Sequence, residues 1–198
     1  MREENNPLID FSGIDHESYT VESALQKLEE LVSSQTAILI SDEQVGMYQD
    51  YSEINQDSQP LIFHEHAILQ LIELIKKKNG LIIFVRFPTE KYGTIVASLE
   101  EATVGYTKLF VIEKQSPDAF HGTKLQELLN DNQIQQVVVV GLYRLACIVA
   151  TLYGAIEVGE KREYILPVAL TLKRESLEQM MYFLDNTVRA FRGKLTII

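Results

Sequence analysis

The sequence is short of the residues that staple a fold or anchor it in a membrane. Its 198 residues include one cysteine, Cys147, and no tryptophan. A single thiol cannot close an intrachain disulfide, and there are too few cysteines for a multi-cysteine zinc site, so a reducing compartment is expected. No stretch approaches the roughly 18 to 20 apolar residues that a membrane span requires, and the opening Met1-Arg2-Glu3-Glu4 leads into no apolar run of the export type. Positive charge is also scarce. Lysine and arginine number 18 against 28 aspartate and glutamate, a formal charge of −10. Such a surface repels phosphate backbones and anionic lipids, so neither nucleic acid nor membrane is expected as a partner, and the expected location is the cytoplasm.

With 46% hydrophobic residues the chain can fill one sizeable core. Residues 1–35 read as an N-terminal extension with a short helix, and residues 36–198 as one domain. In the extension, Val21, Leu25, Leu28, Leu31 and Val32 share a helical face, with Thr20 as N-cap and Glu22 in the first turn. The run Ala37-Ile38-Leu39-Ile40 then reads as a strand buried on both faces, closed by Ser41-Asp42.

Alternation follows. A helix after Pro60 carries Ile68, Leu71, Ile72 and Ile75, finishes in Lys76-Lys77-Lys78 and stops at Asn79-Gly80. Strands are expected at Leu81 to Val85, Leu109 to Ile112 and Val137 to Val140, and helices around Lys124 to Leu129 and after Cys147. The last third suggests a strand at Tyr164 to Ala169, a helix from Ser176 to Phe191 and a strand from Lys194 to Ile198. Strand then helix, repeated, implies an α/β fold with a parallel sheet, whose ligand sites lie beyond the carboxyl ends of the strands.

Three chemically capable residues follow strands: Asp42, Lys114 and Cys147. Cys147 opens an expected helix, and the unpaired N–H groups and positive dipole end there favour a thiolate over the ordinary thiol of pKa about 8.5. The same donors can hold an oxyanion. Asp42 can accept the thiol proton and pass it to a leaving group, while Lys114 stabilises the thiolate. The plainer alternative is that a lone cysteine at an apolar turn is a small buried hydrophobe. His64 and His66, two residues apart at a helix start, point to different faces and lack the spacing of a helical metal pair. His121 reads as facing water.

Three blocks resemble the isochorismatase-like cysteine hydrolases, a family that includes nicotinamidases, related amidases and isochorismatases. Ile38-Leu39-Ile40-Ser41-Asp42-Glu43-Gln44 looks like the family's strand ending in Asp-x-Gln. Phe110-Val111-Ile112-Glu113-Lys114, with Ala119-Phe120, Thr123 and Leu125, looks like its lysine block. Val137 to Leu142, running through Cys147 to Ala155, is similar to its cysteine segment. The resemblance covers roughly Ala37 to Gly159.

It implies a three-layer α/β/α fold with a mostly parallel central sheet of Rossmann-like topology. It implies Asp42 as base, Lys114 as the thiolate-stabilising partner and Cys147 as nucleophile, with the amides of Tyr143 and Cys147 as oxyanion hole and the Leu142-Tyr143 peptide cis. Phe120 and Tyr143 would line the substrate pocket. No metal and no cofactor are expected, because where nicotinamidases carry an Asp-x-His pattern this chain has Arg86-Phe87-Pro88-Thr89. The implied partners are a small-molecule substrate and further copies of the chain, as a dimer or higher homo-oligomer.

The chain departs from the pattern at Tyr143-Arg144-Leu145, where the family has Ala-Thr and an acidic residue, and at Val168-Ala169, where it has Asp-Ala. Tyr143 and Arg144 either narrow the cavity and offer an anion partner or leave it for a subunit interface. The leading reading is hydrolysis of a small carboxamide. The alternatives are isochorismatase-type cleavage of a vinyl ether and a non-catalytic binding or scaffolding protein that kept the fold.

Overall fold

The computed structural model describes residues 20–172, 191 and 194–198. Six strands form one parallel sheet in the order β3-β2-β1-β4-β5-β6. These are β1 (Thr36–Ser41), β2 (Leu81–Arg86), β3 (Leu109–Glu113), β4 (Gln136–Gly141), β5 (Glu163–Leu166) and β6 (Leu195–Ile197). The helices are α1 (Val21–Leu31), α2 (Val45–Asn55), α3 (Gln59–Lys77), α4 (Thr89–Tyr92), α5 (Ala97–Thr103), α6 (Leu125–Asp131) and α7 (Val149–Glu157).

The three layers follow from the two-residue period of the strands. Odd positions of β1, β2 and β4, namely Ala37, Leu39, Leu81, Ile83, Val137 and Val139, join Leu125, Leu129, Leu152 and Ala155 of α6 and α7 in one core. Even positions, namely Ile38, Ile40, Ile82, Phe84, Val138 and Val140, join Leu28, Ile68, Leu71, Ile72 and Leu99 of α1, α3 and α5 in the other. Because both faces are covered, the central strands are continuous apolar runs. Helix α1 contributes Ala24 and Leu28 to the second core, joined by its C-cap Val32. Its Thr20 hydroxyl accepts from the Ser23 amide, and Ser23 Oγ reciprocally accepts from the Thr20 amide.

Two expected features shift. The strand expected at Tyr164 to Ala169 ends at Leu166, because Pro167 lacks an N–H and Val168–Leu170 turns as a short 3-10 helix. The helix expected from Ser176 to Phe191 falls almost wholly outside the described residues. Helices α2, α4 and α5 have no counterpart in the sequence reading.

The chain proceeds outward from β1 to β2 and β3, then returns to the other side of β1 for β4. This reversal between β1 and β4 is the topological switch point of the sheet, and open α/β sheets bind ligands beyond the carboxyl ends of the strands at such a point. A close approach permits it: Gly141 pairs with Ser41 at φ 131°, and a Cβ on Gly141 would overlap the Ser41 backbone.

Candidate active site

Four neighbouring strands each deliver one side chain to this end of the sheet. In sheet order they are Lys114 after β3, Phe87 after β2, Asp42 after β1 and Cys147 beyond β4. The sheet therefore assembles the three residues singled out in the sequence, with Phe87 among them.

Asp42 leaves β1 in a left-handed conformation, φ 67°, its amide donating to the Val85 carbonyl at 2.9 Å. Asp42 and Lys114 are each 0% exposed. Lys114 Nζ lies 3.1 Å from Asp42 Oδ1 and 3.2 Å from Oδ2, and donates to Oδ2, to Ser41 Oγ at 3.2 Å and to the Pro117 carbonyl at 3.1 Å. Among the described residues Asp42 Oδ1 has no well-aligned hydrogen-bond donor. Burial raises the Asp42 carboxyl above its ordinary range, opposed by Lys114 and by hydrogen bonding from Cys147, Lys114 and Ser41.

Cys147 is buried in an apolar cluster with Met47, Tyr51, Leu61, Phe87, Leu142 and Leu172, flanked by Tyr48, Tyr92 and Tyr143. The helical path begins before it, at a π turn over Arg144–Ile148 that runs into α7. The expectation that the helix start would favour a thiolate is overturned. The thiol is pushed up to about 12, first by burial and then by the Asp42 carboxylate, with Lys114 acting in the opposite direction. Desolvation is the largest influence on the thiol, and it disfavours the anion. The thiol therefore rests neutral near pH 7, beside Asp42 and Lys114.

The Leu142-Tyr143 peptide is trans, correcting the expected cis bond, since no cis peptide occurs among the described residues. The chain reverses instead through left-handed Tyr143, φ 56° and ψ 65°. The two residues of the altered turn part company. Tyr143 stays with the cluster around Cys147 and its hydroxyl donates to the Met47 carbonyl at 3.4 Å. Arg144 points into the protein, 5% exposed, donating to Thr171 Oγ1 at 2.5 Å, to the Thr171 carbonyl at 2.7 Å and to the Val168 carbonyl at 2.8 Å. Its guanidinium is thus engaged with the segment 168–171.

Phe120 is not brought to the thiol. It is buried in the core shared with Leu125, Ile148 and Leu152, which corrects its expected place in the pocket. Its neighbours do serve the site: the Ala119 amide donates to Thr151 Oγ1 on α7, and the Phe120 amide to Asp118 Oδ1. These bonds fix the loop whose Pro117 carbonyl receives Lys114. His121 is exposed.

Sequence reasoning missed a second buried polar group. Glu43, 2% exposed, accepts from Tyr48 Oη at 2.6 Å and pairs with His64 Nε2 at 2.7 Å. Its position next to Asp42 was the available signal. The end of β2 offers Phe87 and Pro88, and among the described residues no three His, Cys, Asp or Glu side chains converge as a metal site would require.

Solved structures with this fold include the nicotinamidase of Staphylococcus aureus (18% identity, TM-score 0.66, covering 82% of this chain and 98% of that one). An isochorismatase of Pseudomonas putida KT2440 matches at 18% identity and TM-score 0.61, covering 83% and 87% of the two chains. The N-carbamoylsarcosine amidase of Thermoplasma acidophilum matches at 16% and 0.60, covering 82% and 94%. At such identities they show the shared fold. No curated protein sequence matches the chain. The isochorismatase domain, however, matches residues 36–161, which include Asp42, Lys114 and Cys147, and the chain therefore belongs to the isochorismatase-domain family of hydrolases.

Proposed function

We propose that this protein is a cysteine hydrolase that cleaves a small carboxamide through a thioester, without a metal. The observation that carries the reading is the convergence of a buried Asp42–Lys114 ion pair on the chain's single cysteine at the carboxyl ends of β1 and β4.

The chemistry follows from the resting state. As the sulfur attacks the amide carbonyl carbon, Asp42 takes its proton, and Lys114 compensates the negative charge formed in a water-poor site. Because the Leu142-Tyr143 peptide is trans, the expected pairing of the Tyr143 and Cys147 N–H groups on the oxyanion has no geometric support. Asp42 then gives its proton to the nitrogen, the C–N bond breaks and ammonia or a small amine leaves. In the second half Asp42 deprotonates water, which attacks the thioester and releases the carboxylic acid, returning the proton to sulfur. The raised pKa of Asp42 suits it to both transfers.

The aromatic and apolar surround of Cys147, with Phe87, Tyr92, Tyr143, Met47 and Leu172, supports a substrate whose acyl part is small and apolar. Exposed Phe110 and Val111 on the edge strand β3 support assembly with further copies of the chain. A cytoplasmic location is supported by the lone thiol. Among the described residues no helix is long and apolar enough to cross a membrane.

One observation favours a second reading. A carboxyl raised by burial is an acid able to protonate a vinyl ether, a reaction in which the thiol takes no part. Ammonia or amine release from a panel of short carboxamides, in the presence of a chelator, tests the first reading. Turnover by wild type and none by Cys147→Ala is expected. Undiminished turnover by Cys147→Ala contradicts it.

A further inference from the structure

The ammonium of Lys114 has to cross the end of β2 to reach Asp42 on β1, and Phe87 occupies that crossing. Lys114 Nζ stands 4.8 Å from the centroid of the Phe87 ring, within the range of an attractive cation–π contact. The ring is 7% exposed and edge-on to Tyr92, with centroids 5.5 Å apart. Its backbone is held on both sides by one side chain: the Phe87 amide donates to Gln44 Oε1 at 2.8 Å, and Gln44 Nε2 donates to the Phe87 carbonyl at 3.1 Å. Gln44 also donates to the Gly93 carbonyl at 2.7 Å and is itself 0% exposed. In the Asp42-Glu43-Gln44 run the first residue is the base and the third fixes the ring that covers the lysine.

We infer that Phe87 is a positioning residue for the reaction, its aromatic face holding the Lys114 ammonium beside Asp42 and Cys147, with Gln44 as its backbone clamp. This rests on the reading of Cys147 as the nucleophile.

The physical case is one of charge balance. A buried ammonium needs a full set of partners. Ser41 and the Pro117 carbonyl supply neutral acceptors and Asp42 supplies the one carboxylate. A second carboxylate in place of the ring would cancel the positive charge that the thiolate requires. An aromatic face stabilises the cation through its quadrupole and adds no formal charge, so the field of Lys114 at sulfur is left intact. Two charged groups couple to the Cys147 thiol, Asp42 and Lys114. Two cations face the ring, Lys114 at 4.8 Å and the exposed Lys91 at 5.1 Å. Lys91 also lies 4.9 Å from the Tyr92 ring.

The test is the rate of Cys147 alkylation by iodoacetamide, followed by intact mass from pH 6 to 10, in wild type, Lys114→Ala, Phe87→Leu and Phe87→Tyr, each with a thermal melt. Below the thiol pKa the logarithm of the rate rises linearly with pH, and a shift in pKa displaces the line. Lys114→Ala should displace it to higher pH. Phe87→Leu, which keeps apolar bulk but removes the aromatic face, should displace it the same way by about one unit, a roughly tenfold slower reaction at fixed pH. Phe87→Tyr should stay near wild type at an equal or lower melting temperature than Phe87→Leu. If Lys114→Ala shifts the line while Phe87→Leu does not, or if Leu and Tyr shift it equally, the inference fails and the nucleophile assignment stands. If Lys114→Ala leaves the line in place, both fail.

Discussion

Lys114 Nζ lies 3.1 Å from one carboxylate oxygen of Asp42 and 3.2 Å from the other, with both side chains fully buried. The two residues act on the thiol with opposite signs. The Asp42 carboxylate raises the Cys147 pKa and Lys114 lowers it. Ground-state reactivity of the sulfur and turnover should therefore separate.

Asp42→Asn removes the charge that opposes the thiolate while keeping the side chain's size. Alkylation of Cys147 at fixed pH is expected to become faster. Turnover of a carboxamide should nevertheless fall by about 100-fold to 10,000-fold, the range for losing a positioned general base. Parallel measurement of alkylation and product release checks the pair of effects.

The loop that receives Lys114 rests on α7 through a glycine. A Cβ on Gly154 would overlap the Asp118 carboxyl. Gly154→Ala should add about 1–3 kcal/mol of overpacking, against about 0.5–1 kcal/mol gained in helix propensity. By displacing the Pro117 carbonyl it should also lower turnover. Combining it with Asp118→Ala should restore part of both, read by urea unfolding and activity.

Arg144 ties the segment 168–171 to the nucleophile turn through its side-chain bonds. Its truncation to alanine leaves buried acceptors unpaired, and a loss of about 2–4 kcal/mol is expected. Arg144→Lys should recover little of this, because an ammonium cannot reproduce the planar fork. Chemical denaturation distinguishes the two.

Stability against pH carries the signature of the raised thiol. Cys147 moves from an ordinary value of 9.0 to about 12 on folding, so between these values the folded state binds more protons than the unfolded one. Its contribution is fully present below about pH 8 and is lost as pH rises through that window, by about 1.4 kcal/mol between pH 8 and 10. Cys147→Ser does not titrate there. Its unfolding free energy should fall less steeply over that range than wild type, with the buried Tyr48 and Tyr164 common to both proteins.

The parts of the fold legible in the sequence were those set by uninterrupted burial. Val137 to Val140 is apolar on both faces, and only a central parallel strand requires that. Thr20 capping and the Lys76-Lys77 finish marked helix ends for the same local reasons. Helix α2 was not legible, because its buried residues Met47 and Tyr51 sit among polar neighbours and its start at Gln44 has no side-chain cap. At the site, residue type and strand position singled out Asp42, Lys114 and Cys147, and the resemblance to the hydrolase family supplied their expected roles. The ionisation of Cys147 was misjudged, since it depends on how deeply a tertiary cluster of Met47, Phe87, Leu142 and Leu172 buries the sulfur. The fate of Arg144 was equally unreadable, as its partners Val168 and Thr171 lie on a segment that comes to pair beside Gly141 at the end of β4 only in the folded chain.

The most direct test of the account is rapid quench and intact mass of the protein during carboxamide turnover. An adduct on Cys147 equal to the acyl group, formed as the amine is released, decaying with acid release and absent in Cys147→Ala, is the predicted result. Acid production without any adduct, undiminished in Cys147→Ala but abolished in Asp42→Asn, would contradict the nucleophilic role of the cysteine and leave Asp42 as the sole chemical group of the site.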